Sequence, residues 1–185
     1  MTSSPLVGVL ALQGGFAAHE NVLQRLGARP RQVRLPADLD GLDALILPGG
    51  ESTVMTLGVE REGLGDPLRA FAETGKPILG TCAGMIMLDR AHLRILDVVA
   101  QRNAFGRQLH SFEADFTVDG VDGGPVHAIF IRAPWIAQYG PGVTVLARVD
   151  GHPVAIRQDN LVALAFHPEL TGEDRLHRYF LSLIS

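Results

Sequence analysis

Three short apolar runs, each broken off by a glycine-bearing loop, constrain this chain more than any other feature. Leu6 to Leu12 stops at Gln13-Gly14-Gly15, and Ala44 to Leu47 stops at Pro48-Gly49-Gly50. Pro77 to Leu79 runs into Gly80-Thr81-Cys82-Ala83-Gly84. Short, unbroken Val, Leu and Ile runs are strands buried on both faces. Between the first two, Phe16, Val22, Leu23 and Leu26 recur with helical spacing up to a stop at Gly27, and Gln32 to Leu35 reads as another strand. Helices follow from about Thr53 and from about Pro67 to Glu73. Such alternation predicts a parallel sheet covered by helices on both sides.

From about residue 95 the pattern changes. Ile95 to Ala100, Phe112 to Val118, Val126 to Ile131, Val143 to Val149, Pro153 to Arg157 and Leu161 to Ala165 all read as strands. Asp119-Gly120, Asp122-Gly123-Gly124 and Asp150-Gly151 punctuate them as hairpin turns. A closing helix is expected over Glu173 to Leu183, with Leu176, Phe180, Leu183 and Ile184 on one side. The expected fold class is α/β: a mainly parallel central sheet flanked by helices, with extra antiparallel strands in the second half. Its size, 185 residues, suits a single domain over residues 1–185.

Composition removes several classes of function. A net charge of −4 without any Lys/Arg cluster gives no footprint for nucleic acid. No apolar run is long enough to span a bilayer, and the opening Met1-Thr2-Ser3-Ser4-Pro5 lacks the character of a signal peptide. The single cysteine forms no internal disulfide and is too little for a thiolate metal site. The expectation is a cytoplasmic protein without metal or cofactor, membrane or nucleic-acid partner.

That one cysteine is placed where chemistry is concentrated. Cys82 sits at the switch from a buried strand to a helix, with Gly80 and Gly84 two positions away on either side. This is the spacing of a nucleophile elbow, in which a sharp turn thrusts one side chain out of the sheet and leaves it exposed. A helix start is also a setting that suits a thiolate. A thiol nucleophile needs a base, and the base needs a group to fix its tautomer. His167 ends an apolar strand and is followed by Pro168-Glu169, so the carboxylate two residues on projects to the same side. His19, His92, His110, His127, His152 and His177 show no such carboxylate and no metal-ligand spacing, and read as surface or structural.

Acyl transfer further requires donors aimed at a developing oxyanion. Gly49 and Gly50 after a buried strand, together with the N–H of Ala83, would supply them, although Pro-Gly-Gly is equally the signature of a tight turn. Ligands of open parallel sheets collect beyond the carboxyl ends of the strands. The loops at Gln13, Pro48, Cys82 and His167 are all expected there.

These motifs resemble the class I, or triad, glutamine amidotransferases, through Gly80-Thr81-Cys82-Ala83-Gly84 with His167-Pro168-Glu169. Further runs are similar to one branch, the glutaminase subunits of pyridoxal phosphate synthase. They include Leu12-Gln13-Gly14, Leu47-Pro48-Gly49-Gly50-Glu51-Ser52-Thr53 and Arg102-Asn103-Ala104-Phe105-Gly106-Arg107-Gln108. Ser111-Phe112-Glu113-Ala114, Phe130-Ile131-Arg132-Ala133-Pro134 and Phe166-His167-Pro168-Glu169-Leu170-Thr171 complete a set that covers essentially the whole chain.

The resemblance implies that Cys82 attacks the side-chain amide of L-glutamine, with His167 as acid and base and Glu169 as its orienting group. It implies that Gly50, Glu51, Ser52, Arg102, Ile131 and Arg132 bind the substrate, and that no cofactor takes part. It also implies a partner, a (β/α)₈-barrel synthase that uses the ammonia and is contacted in part through Gln13, Gly14, Gly15 and the following helix. Taken singly, Arg102 and Arg132 also read as ordinary surface arginines. One departure stands out: between Leu88 and Val98 the chain is several residues shorter than the resemblance implies. Competing readings are a glutaminase for purine or histidine synthesis, a Cys-elbow peptidase or deglycase, and a binding protein without chemistry. The Arg102-to-Gln108 run argues against the first, Gly-Gly-Glu-Ser with His-Pro-Glu against the second, and the intact Cys82, His167 and Glu169 against the third.

Overall fold

The computed structural model describes residues 4–106 and 110–185, which leaves Arg107 and Gln108 of the motif above outside the described residues. The first half contains β1 (Leu6–Leu10), α1 (Phe16–Arg25), β2 (Arg29–Val33), β3 (Ala44–Leu47), α2 (Ser52–Arg61), α3 (Gly65–Glu73), β4 (Ile78–Thr81) and α4 (Ala83–Leu88). The second contains β5 (Val98–Gln101), β6 (Ser111–Phe116), β7 (Val126–Ile131), β8 (Trp135–Tyr139), β9 (Thr144–Val149), β10 (His152–Gln158), β11 (Leu161–Leu164) and α5 (Arg175–Leu181).

Seven strands form the main sheet in the order β2-β1-β3-β4-β11-β10-β9. The first five are mutually parallel, with Val7 opposite Ala44, Leu45 opposite Ile78 and Val162 opposite Leu79. The last two run antiparallel. Every residue of β3, β4 and β11 is buried, as their uninterrupted apolar sequences require. β2 reads poorly because it is an edge strand: Arg-Pro-Arg-Gln-Val begins three residues before the expected start, and Pro30 is tolerated because one side of the strand has no neighbour.

Two antiparallel pairs, β5–β8 and β6–β7, lie outside the main sheet. An aromatic cluster joins β6–β7 to it: Phe112 stacks on Phe130 at 4.5 Å between centroids, and Phe116 and Phe130 meet Phe166 at 5.4 and 5.5 Å. Pairs of this kind add about 0.5–1.5 kcal/mol each beyond their burial. β8 is absent from the sequence reading. Asp150 and Gly151 both take positive φ, 49° and 80°, which gives the β9–β10 hairpin a left-handed two-residue turn.

The short segment after α4 closes without a break. Asp89, almost fully buried, accepts hydrogen bonds from the backbone of Ala91, His92 and Ala100, and from the His92 ring if its Nδ1 carries the proton. Leu88 takes both Ile95 and Leu96 on its carbonyl, and Arg90 donates to Val98. One carboxylate thus organises the whole connection.

Candidate active site

Four loops leave the carboxyl ends of parallel strands and meet in one cavity of about 910 Å³. The loop after β1 brings Gly14 and Gly15, and the loop after β3 brings Gly49, Gly50, Glu51 and Ser52. Cys82 and Ala83 follow β4, while His167 and Glu169 follow β11. Arg102, Ile131 and Arg132 close the opposite wall from the outer antiparallel pairs. Every catalytic, oxyanion and substrate residue expected from the sequence lines this space. Gln13 stands just behind it, where its Oε1 accepts the Glu51 N–H at 2.7 Å.

Cys82 occupies a backbone conformation that non-glycine residues avoid, with φ 50° and ψ −109°. Its own N–H is held by the Leu164 carbonyl at 2.8 Å, while its carbonyl receives Met85 and Ile86. The turn also demands Gly84: a Cβ there would run into the Leu47 carbonyl, backbone that cannot move aside. The expected exposure of the thiol is corrected by the structure. Cys82 is only 7 % exposed, because the elbow delivers it to the floor of the crevice, against Ile131, whose carbonyl lies 3.8 Å from Sγ. α4 has only six residues, so the charge beside Sγ comes chiefly from His167 rather than from a full macrodipole.

His167 lies beside Cys82 in this crevice and hydrogen-bonds Glu169 Oε1 through Nδ1 at 2.7 Å. Its backbone N–H is anchored to Ile129 of β7. Burial opposes a charged ring, but the neighbouring Cys82 and the hydrogen-bonded Glu169 outweigh it and raise His167 to about 10. Glu169 is held below its ordinary range: burial works against ionisation, and the bond from His167 and that ring's charge overcome it. The proton removed from a thiol therefore rests on the imidazole, where a leaving amine needs it.

The glycine loop packs directly on this pair. A Cβ at Gly49 would lie about 2.5 Å from the His167 ring and 3.3 Å from Cys82 Cβ, so any side chain would displace the base. The Gly49 carbonyl accepts the Gly15 N–H at 2.9 Å, which ties the first loop to the second. Glu51 caps α2 by accepting Thr53 and Val54 N–H groups, bonds that lower its pKa. The Arg102 guanidinium reaches it at 3.4 Å. Arg132, like Cys82, has a positive φ, 45°, and its N–H is fixed by His110 O. The cavity thus has an acidic and a basic group beside a thiol, a histidine and clustered backbone.

Two residues read from sequence as surface or structural are neither exposed nor remote. His19 and His177 are fully buried behind Glu169. The signal was helical phase: His19 shares the inward face with Phe16, Val22 and Leu23, and His177 lies between Leu176 and Phe180. Among the described residues, no three His, Cys, Asp or Glu side chains gather as a metal site, and no helix is long and apolar enough to cross a membrane.

A strained cysteine elbow, an adjacent histidine and a carboxylate on an open α/β sheet define a thiol-dependent acyl-transfer enzyme. The chain belongs to the SNO glutamine amidotransferase family, which it matches over residues 9–185. It is 50 % identical to pyridoxal 5'-phosphate synthase subunit PdxT of Frankia alni, over 98 % of this chain and 96 % of that one. Against the protein of the same name from Mycolicibacterium vanbaalenii the identity is 49 %, over 99 % of this chain and all of the relative. The Frankia alignment spans 191 positions, more than the 185 residues present here, so that relative carries residues this chain lacks. A crystal structure of a glutamine amidotransferase, 47 % identical, superposes with a TM-score of 0.90 over 96 % of this chain and 98 % of its own. PurLQS from Thermotoga maritima, 21 % identical, shares the fold with a TM-score of 0.74 over 98 % of this chain and all of the chain matched.

Proposed function

We propose that this chain is the glutaminase subunit of a pyridoxal phosphate synthase, a single amidotransferase domain over residues 1–185 that releases ammonia for a partner enzyme. The observation that carries the reading is the meeting of Cys82 with the bonded pair His167–Glu169 in a crevice that also presents Glu51 and Arg102. The names of the relatives, PdxT of a pyridoxal 5'-phosphate synthase, supply the pathway.

L-Glutamine enters with its α-ammonium toward Glu51 and its α-carboxylate toward the arginines Arg102 and Arg132, with Ser52 and Ile131 bounding the chain between. Cys82 Sγ, its proton already held on His167, attacks the side-chain carbonyl carbon. Backbone N–H groups of Gly49, Gly50 and Ala83 receive the oxyanion. As the C–N bond breaks, His167 returns the proton to nitrogen and ammonia leaves a thioester. Water then adds, again deprotonated by His167, and glutamate and the free thiol are restored. Throughout, Glu169 holds Nδ1 and so fixes the ring's tautomer.

The partner is read as a (β/α)₈-barrel synthase docking at Gln13, Gly14, Gly15 and α1. Support comes from two hydrogen bonds: Gln13 to the Glu51 N–H, and Gly15 to the Gly49 carbonyl. Contact at the first loop is thereby felt in the substrate loop. A reducing cytoplasm suits a chain whose one thiol is its nucleophile.

Glutamate formation from glutamine, with and without a barrel synthase, tests the reading. Weak turnover by the chain alone, rising on addition of the synthase, is expected. No glutamate in either case would remove the proposal.

A further inference from the structure

The mechanism above uses one oxygen of Glu169. The other, Oε2, is buried and has no hydrogen-bond partner among the described residues. Facing it at 3.5 Å is Nε2 of His19, a fully buried ring that projects from α1. The same Nε2 lies 3.2 Å from Thr81 Oγ1, and its Nδ1 lies 2.9 Å from His177 Nε2 on α5. His177 Nδ1 has no partner among the described residues.

These contacts admit two sets of tautomers, of which only one leaves no buried ring N–H without an acceptor. Burial is the main influence on both rings, and it lowers His19 below its ordinary value and His177 to about 3, so both are neutral near pH 7. A neutral ring has one donor and one acceptor nitrogen. His177 Nδ1, lacking a partner, is the bare nitrogen, so His177 Nε2–H donates to His19 Nδ1. That leaves His19 with its proton on Nε2, aimed at Thr81 and Glu169. The groups facing His19 are then Thr81 from β4, His167 and Glu169 from the segment after β11, and His177 from α5. Asp174 and Arg25 lie beyond, acting on His177.

We propose that His19 is a positioning residue for the triad, with its Nε2–H steadying the second oxygen of Glu169 and with His177 fixing the tautomer that makes this possible. A carboxylate oxygen buried without a donor is costly. Without His19, Glu169 is free to turn its charge away from His167. The chain of side chains is therefore five residues long: Cys82, His167, Glu169, His19, His177. Its fourth member rides on α1, the helix that follows the Gln13 loop.

The inference rests on the triad reading, and the test separates the two. Glutamate formation is measured in the complex with a barrel synthase, and alkylation of Cys82 by iodoacetamide is measured in parallel. Cys82 is the only thiol, so its alkylation needs no assumption about substrate. If the wild type forms no glutamate, the glutaminase reading fails and alkylation alone decides His19.

His19→Leu should lower kcat roughly ten- to hundredfold with KM changed by less than about twofold, the loss expected when a charged group loses one hydrogen bond. Cys82 alkylation at neutral pH should slow in the same variant. The pair His19→Gln and His19→Asn guards against misfolding. The Gln amide reaches the Nε2 position and the Asn amide does not, so Gln should stay within about threefold of wild type while Asn falls with Leu. In a Glu169→Gln background the further loss from His19→Leu should nearly vanish, since the two act as one unit. Equal losses in Gln and Asn, additive losses in the double variant, or wild-type behaviour of His19→Leu would each overturn the proposal.

Discussion

The two halves of the chain build the crevice by different means. In the first, the inner parallel strands are buried on both faces, and their loops approach so closely that only glycine fits at Gly49 and Gly84. In the second, β5–β8 and β6–β7 are two-stranded, half-exposed pairs carrying Arg102, Ile131 and Arg132. The first half holds the nucleophile to within the tolerance of packed backbone. The second holds charged side chains that have room to adapt to a substrate. His167 and Glu169 cross this division because β11 returns to the centre of the sheet beside β4, and Glu51 and Ser52 cross it the other way from the loop after β3. On the proposed reading, reaction geometry belongs chiefly to the dense half, and recognition is shared between the two.

Substitutions can break or sharpen that contrast. The largest effect is expected for Cys82→Ala, which should cut glutamate release by a factor on the order of 10⁵ while synthase binding persists, because only sulfur is lost. Substantial residual turnover would remove Cys82 from the mechanism. Glu169→Gln should cost less, roughly 10³-fold, since it misorients the base without deleting it. An effect equal to that of Cys82→Ala would give Glu169 a larger part. In stability, Gly84→Ala should cost about 2–4 kcal/mol, as overpacking against fixed backbone does. Gly142→Ala, in open space in the second half, should stay within about 0.5 kcal/mol. Comparable urea midpoints for those two variants would erase the contrast. Arg132→Ala should raise KM for glutamine about tenfold and leave kcat within about threefold. A loss confined to kcat would place the residue at the reacting bond.

A further effect concerns the seam between the halves, where His19 meets His177. Both rings have lowered folded-state values, His177 to about 3, against an ordinary 6.5. As pH falls below 6.5 the unfolded chain takes up protons that the folded rings refuse, so stability declines toward pH 3 by about 1.4 kcal/mol per pH unit per histidine at most. His167 acts in the opposite sense. Its raised value gives stability that is complete below 6.5 and is lost as pH climbs toward about 10. Urea midpoints at pH 7, 6 and 5 should therefore fall, with a shallower fall in His177→Leu.

Much of this was legible in the residues alone. Uninterrupted apolar runs locate β1, β3, β4 and β11, because strands buried on both faces leave no room for polar residues. Their glycine loops locate the site. β8 was not legible, since Pro134 and Gly140-Pro141 bracket Trp135–Tyr139 as a turn-rich stretch, and only pairing with β5 makes it a strand. The edge position of β2 likewise admitted a proline that sequence alone reads as a breaker. The burial of Cys82 depends on how the end of β7 closes over the elbow, and the approach of His19 to Glu169 on how α1 and α5 pack behind the sheet. Helical phase marks His19 and His177 as inward-facing, but no local spacing names the carboxylate that they meet.

Asp89 bears on a different property, the fixity of distance. Its carboxylate grips the start of the connection that leaves α4 and also the Ala100 N–H, two residues before Arg102. The span from nucleophile to arginine is therefore set by a strut rather than a tether. A free loop would let that span breathe, at only about 0.6 kcal/mol for each doubling of its length. Here the chain between Cys82 and Arg102 is pinned at two places by one carboxylate.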